Sequence, residues 1–109
     1  MSSTQLQPLD FKSAYRLRQR QLADLADIWE GTTRQEPPSD LVFQYALVVN
    51  DFSDVRYAVL TTMKKFCQLD GNLNTNQLVG YFRGVLRRRA EQNAVWEQIR
   101  NGSRTSRTV

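Results

Sequence analysis

The sequence predicts an all-α protein, a compact bundle of about four helices with a long basic C-terminal helix and a disordered tail. Apolar residues recur at helical spacing along four segments, and no segment of any length alternates apolar and polar residues as a strand does. Glycine, proline and asparagine mark two short connections, at residues 31–38 and 70–74, as is typical of helices joined by short loops. With 109 residues and 40% hydrophobic content, the chain can build one core but not two. We therefore expect one helical domain at residues 10–100, between a flexible N-terminus (residues 1–9) and a disordered basic tail (residues 101–109).

The first helix is predicted from five apolar residues that fall on one face: Phe11, Tyr15, Leu22, Leu25 and Trp29. Asp10 is placed to cap this helix and Gly31 to end it. Pro37 and Pro38 prevent continuation, and Ser39 can accept hydrogen bonds from the first free amides of a new helix.

The second and third helices each show an apolar stripe wide enough to face the core. In the second, the stripe consists of Leu41, Val42, Tyr45, Val48 and Val49. After a break at residues 50–53, with Ser53 as the next cap, the third carries Val55, Ala58, Val59, Thr62, Met63, Phe66 and Leu69. It ends at Asp70 and Gly71, because glycine suits the left-handed position that follows a helix.

Thr75 is predicted to cap the fourth helix, whose inward residues are Leu78, Val79, Phe82, Val85 and Leu86, followed by Trp96 and Ile99. Apolar residues become sparse between Leu86 and Trp96, so we expect this part to leave the core and project, or to pair with another chain. Trp96 and Ile99 are then candidate interface residues, with Trp96 as the anchor.

Several function classes are excluded by composition. The chain has no histidine and a single cysteine, Cys67, which rules out histidine-based triads, an internal disulfide and a thiolate metal cluster. Cys67, beside the core face, is expected to be an inert small hydrophobe. No carboxylates form a catalytic pair, so we expect no enzyme, no metal and no cofactor. No apolar run approaches the roughly 18 residues of a membrane span and no signal peptide is recognisable, so a cytoplasmic protein without membrane contact is expected.

All the net charge of +4 lies in the last third of the chain. Residues 75–109 carry seven arginines and two glutamates, for +5, whereas residues 1–74 carry eight basic and nine acidic residues, for −1. This asymmetry makes a polyanion the leading candidate partner.

The candidate nucleic-acid contacts lie on the fourth helix and in the tail: Tyr81, Arg83, Arg87, Arg88, Arg89, Arg104 and Arg107. Arg83 and Arg87 are four residues apart and lie one above the other, and guanidinium matches phosphate oxygens well. Tyr81, off the main apolar stripe, is a candidate to stack on a base or to bond a phosphate. A solvated basic face without any ligand, or one that meets an acidic protein surface, explains the same arginines.

Three further features leave alternatives open. Gly80 and Gly84 permit close approach by a packed helix or by a phosphate chain. A second basic cluster, Lys12, Arg16, Arg18 and Arg20, extends the basic surface only if the first and last helices pack side by side. The turn before Thr75 suits a helix-turn-helix in which Thr75, Asn76 and Gln77 read base edges, whereas a calcium loop there lacks its carboxylate ligands.

One stretch resembles a known family. In residues 52–89, Val55, Ala58 and Val59 are followed by a polar connection and then by Tyr81-Phe82-Arg83-Gly84-Val85-Leu86-Arg87-Arg88. This pattern resembles the C-terminal helical signature of DnaD-like replication modules, although Arg89 stands where that family often carries an aromatic residue. The family's members help load the replicative helicase, and this region of them binds DNA. The resemblance implies that Tyr81, Arg83, Arg87 and Arg88 contact DNA.

The sequence therefore predicts a small non-enzymatic nucleic-acid-binding accessory protein, related to replication, recombination or transcription, with DNA preferred to RNA. It contacts phosphates through the arginine-rich C-terminal helix. The alternative is a helical adaptor or regulatory module for protein–protein interaction, with a homodimer as one form.

Overall fold

The computed structural model describes the backbone of residues 2–108 and the side chains of residues 11–101. Those residues form four helices and no strand, which confirms the all-α class: α1 (Ser2–Thr33), α2 (Asp40–Val49), α3 (Phe52–Gln68) and α4 (Thr75–Thr108). The predicted flexible N-terminus and disordered tail fall outside the described side chains, apart from Asn101, and stay predictions. The long basic C-terminal helix also stays a prediction, because the basic residues near its end lie outside the described side chains.

Helix α1 runs past both of its predicted ends, because Asp10 and Gly31 lie inside it. Arg34 ends the helix instead. Its φ of 56° is left-handed, and its backbone N–H donates to the Glu30 carbonyl at 2.8 Å. A residue in this conformation turns the chain while satisfying one of the last free carbonyls.

Ser39 caps α2 as predicted, since its Oγ accepts from the Leu41 N–H at 3.3 Å. Helix α3 begins one residue after Asp51, so the predicted cap Ser53 lies in its first turn. At the end of α3, Asp70 and Gly71 take φ values of 55° and 75°, which confirms the predicted left-handed stop.

Helix α4 begins with a reciprocal capping box. The Gln77 N–H donates to Asn74 Oδ1 and the Asn74 N–H donates to Gln77 Oε1, both at 2.9 Å. The cap is therefore Asn74, and the predicted cap Thr75 is the first helical residue. Thr75 Oγ1 donates to Gln35 Oε1 at 2.9 Å, which ties the start of α4 to the segment that follows α1.

Helix α3 is the element on which α1 and α4 both pack. Asp24 of α1 meets Arg56 at 3.6 Å, and Arg89 of α4 meets Asp54 at 3.0 Å, so both contacts lie at the beginning of α3. The other end of α1 lies beside the start of α4, through Gln35. Hence α1 and α3 run in the same direction and α4 runs opposite to them.

Three aromatic side chains from three helices form the centre of the core. Trp29, Phe43 and Phe82 are fully buried and meet edge to face, with ring centroids 5.7–6.3 Å apart. Around them are packed the buried aliphatic and sulfur side chains: Leu22, Leu25, Ala46, Leu47, Val55, Ala58, Val59, Met63, Leu78, Val85 and Leu86. The buried hydroxyls are satisfied, since Thr62 donates to the Ala58 carbonyl at 2.7 Å and Thr33 to that of Trp29 at 2.8 Å.

The predicted core stripe of α2 is wrong except at Val42, which is half-buried and packs against the core. Tyr45, Val48 and Val49 are 71–80% exposed, and α2 instead buries Phe43, Ala46 and Leu47. Both sides of α2 are apolar, so periodicity alone allows either to face inward. The Phe43 ring fills the space between Trp29 and Phe82, and this contact turns the other side to solvent.

Two parts of the chain project from the bundle at the same end. Residues 11–20, here called the α1 arm, lie beyond the level of the Asp24–Arg56 contact, and residues 90–101, the α4 arm, lie beyond the Arg89–Asp54 contact. Every residue of both arms is exposed except Arg18, which is half-buried. The radius of gyration of 18.1 Å accordingly exceeds the roughly 13 Å of a compact chain of this size. The exposed α4 arm confirms that the helix leaves the core after Leu86, whereas Phe11 and Tyr15, predicted to share the core face, are exposed.

None of the described helices is long and apolar enough to cross a membrane.

Candidate nucleic-acid interface

Helix α4 holds its first arginines on the side that faces away from the core. Phe82 and Val85 are buried, so residues half a turn away from them point to solvent, and Arg83 and Arg87 are exposed there one turn apart. Neither makes an ion pair among the described residues. Two guanidinium groups with all their donors available can each bind a phosphate oxygen pair.

Arg88 is also exposed and unpaired within the described part of the chain, but it lies toward α3. It borders a small cleft of about 120 Å³ between α3 and α4, lined by Tyr57, Thr61, Val85, Arg88, Arg89 and Gln92. Arg88 therefore lies at the edge of the surface that Arg83 and Arg87 form.

Arg89 has a structural partner. Its Nε donates to Asp54 Oδ1 at 3.0 Å, and its guanidinium carbon lies 4.3 Å from the centre of the Tyr57 ring. Asn93 also donates to Asp54, at 3.4 Å. Arg89 thus joins α4 to α3, and its predicted role as a phosphate contact stays a prediction.

Tyr81 is half-buried and packs against the core, which differs from the exposed phenol expected for stacking. Lys65 Nζ of α3 lies 6.0 Å from the centre of its ring. Tyr81 is therefore less available for stacking than the sequence predicts.

The glycines of α4 have no packing neighbour. A Cβ at Gly80 or at Gly84 would meet nothing within 4 Å, so the predicted close helix crossing is absent from the described structure. Glycine inside a helix costs about 1 kcal/mol relative to alanine, and no internal contact offsets that cost at either site. The backbone between Arg83 and Arg87 is therefore open to close approach from outside.

The basic cluster of α1 does not join the α4 surface. Lys12, Arg16 and Arg20 are exposed on the α1 arm, whereas Arg83 and Arg87 lie alongside the bundle on a helix that packs mainly on α3. The side-by-side packing that would merge the two clusters is not formed. Arg104 and Arg107, the predicted tail contacts, lie outside the described side chains.

The helix-turn-helix alternative loses most of its predicted base-reading groups. Gln77 is committed to the capping box and Thr75 to Gln35, which leaves Asn76 exposed at the start of α4. A base-reading helix needs several free polar groups in its first turn.

Sequence reasoning missed the basic residues of α3 that lie near this surface. Lys64 is exposed and Lys65 is half-buried beside Tyr81. Two consecutive lysines near the end of α3 were the available signal, but only the packing of α3 on α4 places Lys65 beside Tyr81.

The α4 arm carries the predicted interface residues. Trp96 is 64% exposed, and Val95 and Ile99 are about half exposed beside it. With polar neighbours they border a shallow open groove lined by Arg88, Glu91, Gln92, Val95, Trp96 and Ile99. Cys67, expected beside the core, is exposed as well.

No three side chains of the kinds that bind metals converge anywhere among the described residues. No family model matches the chain, and neither a characterised protein nor a solved structure is significantly similar to it.

Proposed function

We propose that the chain is a small non-enzymatic accessory protein of the cytoplasm that binds nucleic acid, DNA in preference to RNA, through the outer face of α4. One observation carries this proposal: Arg83 and Arg87 are exposed and unpaired within the described structure, beside two helical glycines with open space over them. The glycines let a phosphate backbone approach the helix closely, and the arginines supply its counter-charge. The resemblance to DnaD-like modules favours DNA as the ligand and replication as the process.

The mechanism is counterion release. Each phosphate that an arginine neutralises frees condensed cations, so the affinity falls with salt at a logarithmic slope of about −0.9 per contact on duplex DNA. Arg88 at the edge, with Arg104 and Arg107 in the predicted tail, would add sequence-independent contacts. Arg89 contributes mainly by holding α4 on α3.

The test is a salt titration of binding to labelled single-stranded and duplex DNA and RNA. In the Arg83→Gln, Arg87→Gln variant we expect the duplex slope to fall by about 2 units and the affinity to fall at every salt concentration. The matched control is Lys12→Gln, Arg20→Gln, which removes the same charge from the α1 arm and should keep most of the slope. Equal losses in the two variants would show a general effect of net charge, and absence of binding at low salt would exclude the proposal.

The Gly80→Ala, Gly84→Ala variant tests the close approach separately. It keeps every charge, so weaker binding without a change in salt slope would show that the ligand needs the open backbone. Unchanged affinity would leave the arginines alone as the basis of binding.

A second function is favoured by the exposure of Trp96 on the α4 arm. There the chain acts as a helical adaptor or regulatory module, and its partner is a protein with an acidic surface or a second copy. Substituting Trp96 by Ala should then weaken that association while nucleic-acid binding persists, the opposite of the result expected for the Arg83 and Arg87 variant.

A further inference from the structure

We propose that the two arms form a docking surface for a second copy of this chain, in which the α1 arm of one copy packs beside the α4 arm of the other. The two bundles would then lie end to end, with four arm helices between them. This interface lies apart from Arg83 and Arg87, the residues that carry the proposed nucleic-acid binding, and it meets that surface only at Arg88, which borders the groove beside Trp96.

Continuity of the buried stripes is the first reason. Tyr15 and Phe11 precede Leu22 by seven and eleven residues, spacings that return to the same side of a helix. Trp96 likewise follows Val85 by eleven residues. The sides of α1 and α4 that face the core therefore continue onto the arms, where no described part of this chain covers them.

Direction is the second reason. Both arms leave the bundle at the end where α3 begins, and α1 and α4 pack on α3 rather than closely on each other. Two arms of one copy thus offer two separated apolar sides at the same end. A second copy related by a two-fold axis presents the same pair and can fill the space between them, as in a four-helix bundle.

Charge complementarity is the third reason, and it favours pairing between unlike arms. The α1 arm contains Lys12, Arg16, Arg18 and Arg20 and no acidic residue, for +4. The α4 arm contains Glu91, Glu97 and Arg100, for −1. The α1 arm is attracted to the α4 arm of the other copy, whereas two α1 arms repel each other.

The available area is the fourth reason. A standard interface buries about 800 Å² on each partner, about a tenth of the 8211 Å² surface of this chain. Phe11, Tyr15 and Trp96 are 62–77% exposed, and an aromatic side chain can bury roughly 150–250 Å². Together with the half-exposed Val95 and Ile99, they can supply most of an interface of that size.

Sedimentation equilibrium of the full chain, free of nucleic acid, tests the proposal. We expect the wild type to reach twice the 12.7 kDa chain mass at micromolar concentrations. Tyr15→Ser and Trp96→Ser should each weaken self-association by roughly tenfold or more. The matched control is Val48→Ser on the outer side of α2, an apolar residue that is even more exposed than Tyr15 and Trp96, and it should leave the mass unchanged.

A charge exchange identifies which arms meet. The first variant, Lys12→Glu, Arg16→Glu, Arg18→Glu, makes both arms acidic, and the second, Glu91→Lys, Glu97→Lys, makes both basic. Each variant alone should associate roughly tenfold or more weakly than the wild type, and an equimolar mixture should recover the dimer. Circular dichroism of each variant verifies that the helices remain formed.

Three results would overturn the proposal. One is a wild type that stays monomeric at all concentrations, which would mean that the arms do not bind a second copy and are available to another protein. Another is a dimer sensitive to Trp96→Ser but not to Tyr15→Ser, which would mean that α4 arms pair with each other. The last is a mixture of folded charge variants that remains monomeric. Because the assay contains no nucleic acid, none of these outcomes depends on the proposed binding function.

Discussion

At the scale of single residues, the contacts of a side chain separate a structural role from a binding role within one arginine run. Arg87 and Arg89 are two positions apart and point to different sides of α4. Arg89 is bound to Asp54 and Tyr57, whereas Arg87 has no ion-pair partner among the described residues. The run of three arginines predicts a basic helix. Only the packing of α4 on α3 determines which of these arginines has a structural role and which is available for binding.

This difference predicts opposite effects of the same substitution. Arg89→Gln should lower the free energy of unfolding by about 1–2 kcal/mol, because it removes a charge-assisted hydrogen bond and a cation–π contact that are partly screened by solvent. Arg87→Gln should change it by less than about 0.5 kcal/mol, as expected for an exposed site. Urea denaturation measures both, and equal stabilities would mean that the Arg89 contacts are not maintained in solution.

Neighbouring residues of α2 predict a second contrast. Phe43→Ala should cost about 3–5 kcal/mol, because it leaves a cavity between Trp29 and Phe82. Tyr45→Ala should cost less than about 1 kcal/mol in the monomer, since Tyr45 is 71% exposed. If Tyr45→Ala destabilised the protein more than Phe43→Ala in thermal or urea unfolding, the side of α2 that the sequence pattern indicates would be the buried side after all.

At the scale of elements, three glycines show that residue type alone does not determine the structural role of a position. Gly71 ends α3 at a φ of +75°, and a Cβ there would lie 3.3 Å from Phe66 Cζ. Gly80 and Gly84 lie in ordinary helical backbone with nothing nearby. The sequence predicts the turn at Gly71 correctly, but it also predicts a close packing at Gly80 and Gly84 that the helices do not make.

Alanine substitutions should therefore act in opposite directions. Gly71→Ala should destabilise the protein by roughly 1–2 kcal/mol, because L residues are strained in the left-handed region. Gly80→Ala and Gly84→Ala should each stabilise it by about 0.4–1 kcal/mol, since they relieve the entropic cost of helical glycine without a clash. Thermal unfolding of the three variants measures this, and a loss of stability at Gly80 or Gly84 would reveal a neighbour that the monomer lacks.

At the scale of the whole molecule, stability should be uneven between the bundle and its arms. Backbone hydrogen bonds in the exposed arms can open without unpacking the core, whereas those beside Trp29, Phe43 and Phe82 open only when the bundle unfolds. The proposed dimer would change this, because it covers the arms.

Hydrogen exchange measured at several protein concentrations tests this expectation. Amides of residues 11–20 and 90–101 should exchange fast in dilute protein, and those of residues 22–33, 55–63 and 78–86 should exchange slowly throughout. Protection of both arms should rise together with concentration if unlike arms pair. A rise confined to residues 90–101 would contradict pairing between unlike arms.

The sequence by itself determined the four helices, most of their connections, the burial of Trp29 and Phe82, and the location of the positive charge. These features depend on local spacing, capping and composition, which the chain carries without reference to its fold. Tertiary structure alone decided which side of α2 is buried, that Phe11 and Tyr15 lie beyond the core, and that Arg89 and Tyr81 have internal neighbours. Each of these features depends on which helices pack together and on where along their length they make contact. A helical period marks an apolar side, but only the space left by the other helices determines whether that side is covered.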